Sequence, residues 1–244
     1  YNRNVIIKEI CSDGQLKLLN SKVLVAGAGG LGSSVITNLA CLGIGFIGII
    51  DSDKVEISNL NRQYIHNPDE IGQNKVDSAR KWIKKYNPDI EVKVYNIKFD
   101  ENFSDSIFQE YDLVMDCFDS FESKFLLNKA CIKNEKPLIH GGVSEFYGQA
   151  MTILPKKTAC LSCLFPDYNE NIFQDSPKGI LSPAVNIIGS VQSQESLKYL
   201  LNLNKLLVNK ILRYDGVEQN FKIIEVKKNI NCPICSDSLE SRKF

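Results

Sequence analysis

The sequence lacks a long apolar segment and an excess charge of either sign, and we expect no signal peptide in it. Over 244 residues, Lys+Arg and Asp+Glu both number 29, so the formal net charge is zero. This balance gives no support to a nucleic-acid-binding protein or a polybasic membrane protein. No apolar run reaches the roughly 18 residues of a membrane span, and the polar N-terminus does not resemble a secretory leader. We therefore expect neither a nucleic acid nor a membrane as partner.

Histidine is also scarce, and cysteine is not. The two histidines, His66 and His140, lie far apart and outside any nucleophile motif, so we interpret both as structural. A chain of this size buries about 70–75% of its unfolded surface and needs no disulfide framework. Its eight cysteines therefore indicate reduced thiols and a cytoplasmic location. Four of them stand singly and are expected to be small buried residues: Cys11, Cys41, Cys117 and Cys131.

Short apolar runs alternate with segments of helical length through the first half of the chain. The pattern predicts an N-terminal helix within residues 1–20, strands over 23–27, 46–50, 91–97, 112–116 and 137–140, and helices over 33–42, 75–86 and 123–134. This alternation is typical of an α/β fold, in which a Rossmann-like, mostly parallel sheet carries helices on both faces.

The pattern changes after residue 142. Strands over 149–154, 211–214 and 221–227, with a long helix over 183–203, predict a C-terminal extension of the sheet. No segment resembles a flexible linker. We therefore predict one domain over 1–244, divided into the N-terminal helix (1–20), a nucleotide-binding half (21–143) and a second half (144–244).

A glycine-rich loop follows the first predicted strand. Gly27, Gly29, Gly30 and Gly32 fit G-x-G-x-x-G between a strand and a helix, where backbone N–H groups and the helix N-terminus bind phosphate. Asp51 ends the second strand, where a carboxylate accepts hydrogen bonds from ribose hydroxyls. The motif predicts a nucleotide but does not distinguish ATP from NAD or FAD. An NAD- or FAD-dependent oxidoreductase therefore remains an alternative.

Charged residues farther along favour ATP. Arg62 and Lys75 have no obvious use in an oxidoreductase, whereas cleavage of a triphosphate places charge on oxygens that fixed cations stabilise. The alternatives are a surface salt bridge for Arg62 and a solvated helix residue for Lys75. Asp119 follows the fourth strand and is predicted to hold Mg²⁺; alternatively, Asp119 or Ser120 caps the next helix.

Two Cys-X-X-Cys pairs predict a zinc site. Cys160 and Cys163 form one pair, and Cys232 and Cys235 form the other. Together they supply four thiolates, the ligand set of a closed structural Zn²⁺ site. A redox dithiol is the alternative for one pair, but it leaves the second pair unexplained. A site with four protein ligands has no open position, so we do not expect it to be catalytic.

These segments together resemble the ThiF/MoeB/HesA family, the bacterial relatives of ubiquitin-activating enzymes. The matching segments are YNR, VLVAGAGGLG, DSDKVEISNLNRQ, GQNKVDSAR, NPDIEV and DLVMDCFDS, with both Cys-X-X-Cys pairs. The resemblance implies an adenylyltransferase that uses ATP and Mg²⁺ and releases pyrophosphate. Its substrate would be the C-terminal glycine carboxylate of a ubiquitin-fold sulfur-carrier protein ending in Gly-Gly, activated as an acyl-adenylate for thiamine or molybdopterin biosynthesis.

The family pattern also assigns roles to residues of this chain. It implies that Asp51 binds the ribose and that Asp119 binds Mg²⁺. The residues that it implies to contact the phosphates are the four loop glycines, Asn59, Arg62 and Lys75. Arg3 matches an arginine that reaches the active site of the other subunit, which implies a homodimer. The intact charged residues argue against a third alternative, a non-catalytic scaffold of the same fold.

The resemblance places carrier binding and zinc in the second half, 144–244. A polar loop with Asp167, Asn169 and Asn171 is implied to cover the carrier tail. Asp175 stands where some members carry a cysteine that joins covalently to the carrier. We therefore expect sulfur to come from a separate donor, such as a cysteine desulfurase.

Overall fold

Eight strands form one sheet within the residues that the computed structural model describes, which are 1–101, 105–166 and 179–236. The strands are β1 (Lys22–Ala26), β2 (Phe46–Ile50), β3 (Glu91–Tyr95), β4 (Leu113–Asp116), β5 (Leu138–Ser144), β6 (Tyr147–Ile153), β7 (Lys210–Asp215) and β8 (Asn220–Glu225). The α-helices are α1 (Asn2–Val5), α2 (Cys11–Leu19), α3 (Gly30–Leu42), α4 (Lys75–Tyr86), α5 (Asp105–Gln109), α6 (Phe121–Lys133), α7 (Leu161–Leu164) and α8 (Ser182–Leu200).

The strand order is β3-β2-β1-β4-β5-β6-β7-β8. The first five strands in this order, from β3 through β5, pair in parallel. Each later neighbouring pair, from β5–β6 to β7–β8, is antiparallel. The Rossmann-like sheet with a C-terminal extension is therefore confirmed. β5 belongs to both parts, because it pairs in parallel with β4 and in antiparallel with β6.

The central strands are apolar on both faces, as a sheet covered on both sides requires. In β1, Val23 and Val25 point to a core that α3, α4 and α8 complete. Leu24 and Ala26 point to the opposite core, which α5 and α6 complete. The strict alternation of side chains along a strand produces this division.

Several element boundaries differ from the sequence prediction. α3 begins at Gly30 and not at residue 33, because the glycine loop itself forms the first turn. β5 continues through Gly141 and Gly142 to Ser144, since both glycines pair with β6. Glycine weakens a strand signal in sequence, which is why the prediction ended at residue 140.

The N-terminal helix and two of the cysteines require correction. Instead of one helix, residues 1–20 contain α1 and α2 joined by turns, and Cys11 has a φ of 46°, outside the helical region. Cys11 and Cys41 are exposed, whereas Cys117 and Cys131 are buried as expected. Both exposed thiols lie on helices whose buried faces are formed by other residues. No helix in the described part of the chain has the length and apolar character needed to cross a membrane.

Candidate functional site

A cleft of about 320 Å³ lies where the order of the parallel strands reverses. The chain leaves β1 through α3 to reach β2, and later returns to β4 on the other side of β1. The loops after β1 and β4 therefore meet, and this crevice is where open α/β sheets bind ligands. Gly27 adopts a φ of 103°, and a Cβ on it would lie 2.6 Å from the carbonyl oxygen of Cys117. Only glycine allows this approach.

Three of the four loop glycines, Gly27, Gly29 and Gly30, line this glycine-loop cleft. Gly32 does not line it. A Cβ on Gly32 would lie 2.1 Å from the carbonyl oxygen of Gly27, so Gly32 allows α3 to pack closely behind the loop. The N-terminus of α3 then points its free N–H groups and its positive dipole end at the cleft, which favours an anion.

Asp51 stands opposite the loop at the end of β2. Its carboxylate accepts hydrogen bonds from the backbone N–H groups of Ala28 and Asp53, both at 2.8 Å. Burial raises its pKa, and the nearby ammonium of Lys75 opposes that shift. Each bonded oxygen keeps a further lone pair, so Asp51 both supports the loop and can accept from a ligand hydroxyl.

Both predicted cations, Arg62 and Lys75, line the cleft. Lys75, the first residue of α4, is buried, and its Nζ lies 2.8 Å from Asp53 Oδ2. The guanidinium of Arg62 donates to the carbonyl oxygen of Ser58 at 3.1 Å and to Asn61 Oδ1 at 2.9 Å. These bonds occupy only one nitrogen of the Arg62 guanidinium, so the group keeps N–H donors for an anion.

Besides Gly32, two predicted site residues do not line the cleft. Asn59 Oδ1 accepts from the backbone N–H of Glu56 at 3.2 Å in a reciprocal cap of a short 3-10 turn. Arg3 lies exposed on α1, away from the cleft residues of its own chain. The loop residues Asp167, Asn169, Asn171 and Asp175 lie outside the described part of the chain.

Asp119 is exposed at the mouth of the cleft, on the loop after β4. The alternative role, capping of α6, falls to its neighbour. The Oγ of Ser120 accepts a hydrogen bond from the backbone N–H of Ser123 at 3.1 Å. The Asp119 carboxylate is therefore not needed for the cap and faces the cleft.

Both histidines have structural partners, as predicted. His66 is buried and donates from Nε2 to the carbonyl oxygen of Ala28 at 2.9 Å, while its Nδ1 lies 2.7 Å from Ser78 Oγ. Ser78 in turn donates to Glu70 at 2.7 Å. This buried chain fixes the carbonyl side of the glycine loop.

Sequence reasoning missed Gln63, which lines the cleft and is 3% exposed. Its Oε1 has no hydrogen-bond partner among the described residues. A buried amide oxygen without a partner costs free energy, which a bound ligand recovers. The apolar wall of the cleft was also missed; it comprises Ile97, Phe99 and Phe118, and the two rings lie 5.5 Å apart.

A second missed feature is a buried ionic group behind the cleft. Asp116, at the end of β4, lies 3.2 Å from Lys124 Nζ and 2.7 Å from His140 Nδ1. Burial opposes the charge of Asp116, but Lys124 and His140 outweigh it and lower its pKa. Burial lowers the pKa of His140, with Asp116 opposing. The amide nitrogen Gln149 Nε2, a donor, lies 3.1 Å from His140 Nε2, which fits a neutral ring that donates only from Nδ1.

The cleft opens into a larger groove of about 840 Å³. The groove runs over the antiparallel strands, and Tyr147, Gln149, Arg213 and Lys222 are among its lining residues. Five residues line both cavities and mark their junction: Arg62, Asp119, Lys124, Val143 and Ile180. A ligand in the groove and a ligand in the cleft would therefore meet beside the charged side chains of Arg62, Asp119 and Lys124.

The four paired cysteines come together. The sulfurs of Cys160, Cys163, Cys232 and Cys235 all lie within 4.8 Å of one another, and three of the four residues are buried. Cys160 Sγ is 3.8 Å from Cys232 Sγ, and Cys163 Sγ is 3.4 Å from Cys235 Sγ. Four sulfurs placed 2.3 Å from one ion are about 3.8 Å apart. The donor set and its spacing thus fit a tetrahedral metal ion.

Comparison with known proteins agrees with this geometry. The SAMP-activating enzyme E1 of Haloferax volcanii is 35% identical over 239 residues, covering 97% of this chain and 88% of that protein. The molybdopterin-synthase adenylyltransferase of Escherichia coli K12 is 34% identical over 237 residues, covering 96% and 95%. The adenylyltransferase and sulfurtransferase MOCS3 of Culex quinquefasciatus is 36% identical over 98% of this chain, which spans about half (55%) of that protein.

A solved structure shares the fold. The crystal structure of E. coli MccB with ATP superposes with a TM-score of 0.79 and 25% identity, over 91% of this chain and 68% of that one. A model of the ThiF family matches residues 1–234, a range that contains the glycine loop, both cations and the first three paired cysteines. The chain belongs to the ThiF family.

Proposed function

We propose that this protein is an ATP-dependent adenylyltransferase that activates the C-terminal glycine carboxylate of a ubiquitin-fold sulfur-carrier protein. The observation that carries the proposal is the junction of the two cavities. A phosphate-binding cleft with Arg62, Lys75 and Asp119 opens at one end into a long groove. The cleft suits a nucleoside triphosphate, and the groove suits an extended peptide tail that ends at the junction.

The proposed reaction needs positioning and charge stabilisation, not a covalent nucleophile. A carboxylate oxygen of the carrier attacks the α-phosphorus of ATP and forms the acyl-phosphate bond. The bond from that phosphorus to the bridging oxygen breaks, and its electron pair leaves with pyrophosphate. No proton is transferred. The protein aligns the two anions and neutralises the negative charge that moves onto the leaving group.

Each cleft residue receives a role in this proposal. The N–H groups at Gly29 and Gly30 bind phosphate oxygens, and Asp51 accepts from the ribose hydroxyls. Arg62 and Lys75 contact the phosphates that carry the developing charge. In this proposal Asp53 holds the Lys75 ammonium until the phosphates arrive, because the two residues form an ion pair at 2.8 Å and both line the cleft.

The roles of the metals remain part of the proposal. Asp119 would hold Mg²⁺, which shields the triphosphate charge when bound. The four cysteines would hold a structural Zn²⁺, which attaches residues 232–235 to α7 on the same side of the sheet as α6. The reduced, unpaired sulfurs support a cytoplasmic location.

Other expectations join the proposal on the strength of the resemblance. They are a homodimer that brings Arg3 to the partner's site, a phosphate contact by Asn59, a separate sulfur donor, and a pathway of thiamine or molybdopterin biosynthesis. The continuous sheet supports one domain over 1–244, with carrier binding in 144–244.

Carrier-dependent exchange between ATP and pyrophosphate tests the proposal. Purified protein, Mg²⁺ and a panel of ubiquitin-fold carriers ending in Gly-Gly are required. We expect exchange with one carrier and none with the same carrier lacking its tail. Absence of exchange with every carrier, in protein that binds ATP, would overturn the carrier substrate. Binding of NAD in place of ATP would overturn the nucleotide.

Two variants test the residue roles. Lys75→Ala and Asp119→Ala are expected to abolish exchange and to leave zinc content unchanged. Lys85→Ala is the matched control, because Lys85 is an exposed lysine in the last turn of the same helix α4. Full activity in either of the first two variants would contradict the role given to that residue.

A further inference from the structure

Lys124 lies at the point where the cleft and the groove meet, and nothing in the sequence pattern drew attention to it. Its side chain is only 8% exposed, and it projects from α6 towards the end of β4 and the middle of β5. Nζ lies 3.2 Å from Asp116 Oδ1 and donates to the carbonyl oxygen of Gly141. An ammonium has three N–H donors, so two such bonds leave one donor for the space that Lys124 lines.

The ion pair is oriented. Lys124 lines both cavities, whereas Asp116 is fully buried and is not among the described residues that line either one. The positive end of the pair therefore faces the junction and the negative end faces the protein interior. His140 and the backbone N–H of Phe118 also donate to Asp116, at 2.7 and 3.3 Å, so the carboxylate stays in place when the ammonium contacts a ligand.

Among the cations of the described residues, only Arg62 and Lys124 line both cavities. Those that line one cavity are Lys75 and Lys98 in the cleft, and Arg213 and Lys222 in the groove. Lys75 lines the cleft but not the groove, and it lies beside Asp51 and Asp53. Arg62 lines both cavities but is the more exposed residue, anchored on a surface turn. A carboxylate that approaches a triphosphate is repelled by it. A desolvated cation at the end of the groove offsets this repulsion more strongly than a solvated one.

We propose that Lys124 is the carboxylate-binding residue of this site, and that its ammonium holds the terminal carboxylate of the groove ligand against the α-phosphate. This inference rests on the proposed function and adds to it the group that receives the nucleophile. Lys124 makes the approach of one anion to another favourable. Its loss therefore weakens recognition of the tail carboxylate and not of the nucleotide.

A simple truncation is a poor test, because it leaves Asp116 buried without its partner and risks unfolding. The double variant Lys124→Met/Asp116→Asn removes both charges together and retains an acceptor for His140. Lys129→Met is the matched control. Lys129 is 61% exposed on the same helix and pairs loosely with Glu101 at 3.8 Å.

The assay measures binding of a hexapeptide ending in Gly-Gly, with either a free carboxylate or a C-terminal amide, to protein saturated with α,β-methylene ATP. Wild-type protein and Lys129→Met are expected to prefer the carboxylate by about 10- to 100-fold, the value of one charge-assisted hydrogen bond. The double variant is expected to lose this preference, while its Kd for the ATP analogue changes by less than about threefold.

Three results would overturn the inference: a wild-type protein without carboxylate preference, a double variant that retains it, or an equal loss of nucleotide affinity. If the double variant does not fold, Lys124→Arg, which keeps a charge beside Asp116, is compared by the same pair of peptides. A carboxylate preference that the arginine variant retains supports the role of the cation. A preference lost together with an equal loss of affinity for the ATP analogue would overturn the inference. Failure of carrier-dependent exchange with an intact carboxylate preference would refute only the proposed function.

Discussion

Substitution of Gly27 by alanine tests whether the two loops at the strand-order reversal must touch. Alanine at a φ of 103° costs about 1–2 kcal/mol as a left-handed residue. Its Cβ would also lie 2.6 Å from the carbonyl oxygen of Cys117, so reaching an ordinary 3.4 Å contact requires a shift of 0.8 Å (3.4 − 2.6). Overpacking of this kind costs about 1–3 kcal/mol more. The free energy of unfolding is therefore expected to fall by about 2–5 kcal/mol in total.

Gly72→Ala separates the two contributions. Gly72 also has a positive φ, 86°, but a Cβ on it meets nothing within 4 Å. We expect this control to lose only about 1–2 kcal/mol of stability and no affinity for ATP. Urea unfolding gives the stabilities, and calorimetric titration with α,β-methylene ATP gives the affinities.

The functional effect of Gly27→Ala should exceed its effect on stability. A displacement near 1 Å at a reacting group is sufficient for a loss of about 100-fold in rate. We therefore expect weakened nucleotide binding and a loss of exchange of about that size in folded protein. Equal stability losses in the Gly27 and Gly72 variants, or unchanged ATP affinity in Gly27→Ala, would refute the reasoning.

Three further predictions concern the metal site, a helix cap and acid stability. Cys235→Ser removes one of four ligands, so the metal content of the purified chain should fall, whereas Cys41→Ser, at an exposed thiol outside the cluster, should leave it unchanged; equal content in both would contradict a four-sulfur site. Ser120→Ala removes the cap of α6 and should lower the free energy of unfolding by about 1 kcal/mol in urea; no change would mean that water replaces the cap. Burial raises the pKa of Glu70, but hydrogen bonds from Lys81 and Ser78 outweigh it and lower that pKa below its ordinary 4.5. The unfolded chain therefore binds more protons as pH falls through this range, and stability is lost there. Glu70→Gln should reduce the slope of unfolding free energy against pH below about pH 5, and an unchanged slope would exclude Glu70 as a contributor.

The parts of the fold that were predictable from sequence are those with one dominant local signal. The buried strands β1, β2 and β4 are short apolar runs bounded by glycine or aspartate, and their limits differ from the prediction by no more than one residue. The paired cysteines were predictable because metal geometry requires that spacing. The N-terminal segment was not: Ile6 and Ile7 are 70% and 46% exposed, so their apolar character does not report burial.

The missed site residues depend on contacts distant in sequence. Lys124 resembles any other lysine of a helix, and its partner Gly141 lies 17 residues away. Asp116 was recognised only as the acidic end of a strand, since its contact with His140 spans 24 residues. Asn59 shows the opposite case. It lies within the family motif SNLNRQ and was predicted to contact phosphate, but its side chain caps a local 3-10 turn.

The position of β5 has a consequence for how this site can change. One strand supplies Val143 to the junction and pairs with a parallel neighbour on one edge and an antiparallel neighbour on the other. Under the proposed function, β5 thus connects the parallel strands beside the nucleotide cleft to the antiparallel strands that line the groove. If the groove holds the proposed tail, substitutions on β6, β7 and β8 would alter which tail it accepts without displacing the glycine loop. Substrate choice and phosphate chemistry can therefore vary independently in this architecture.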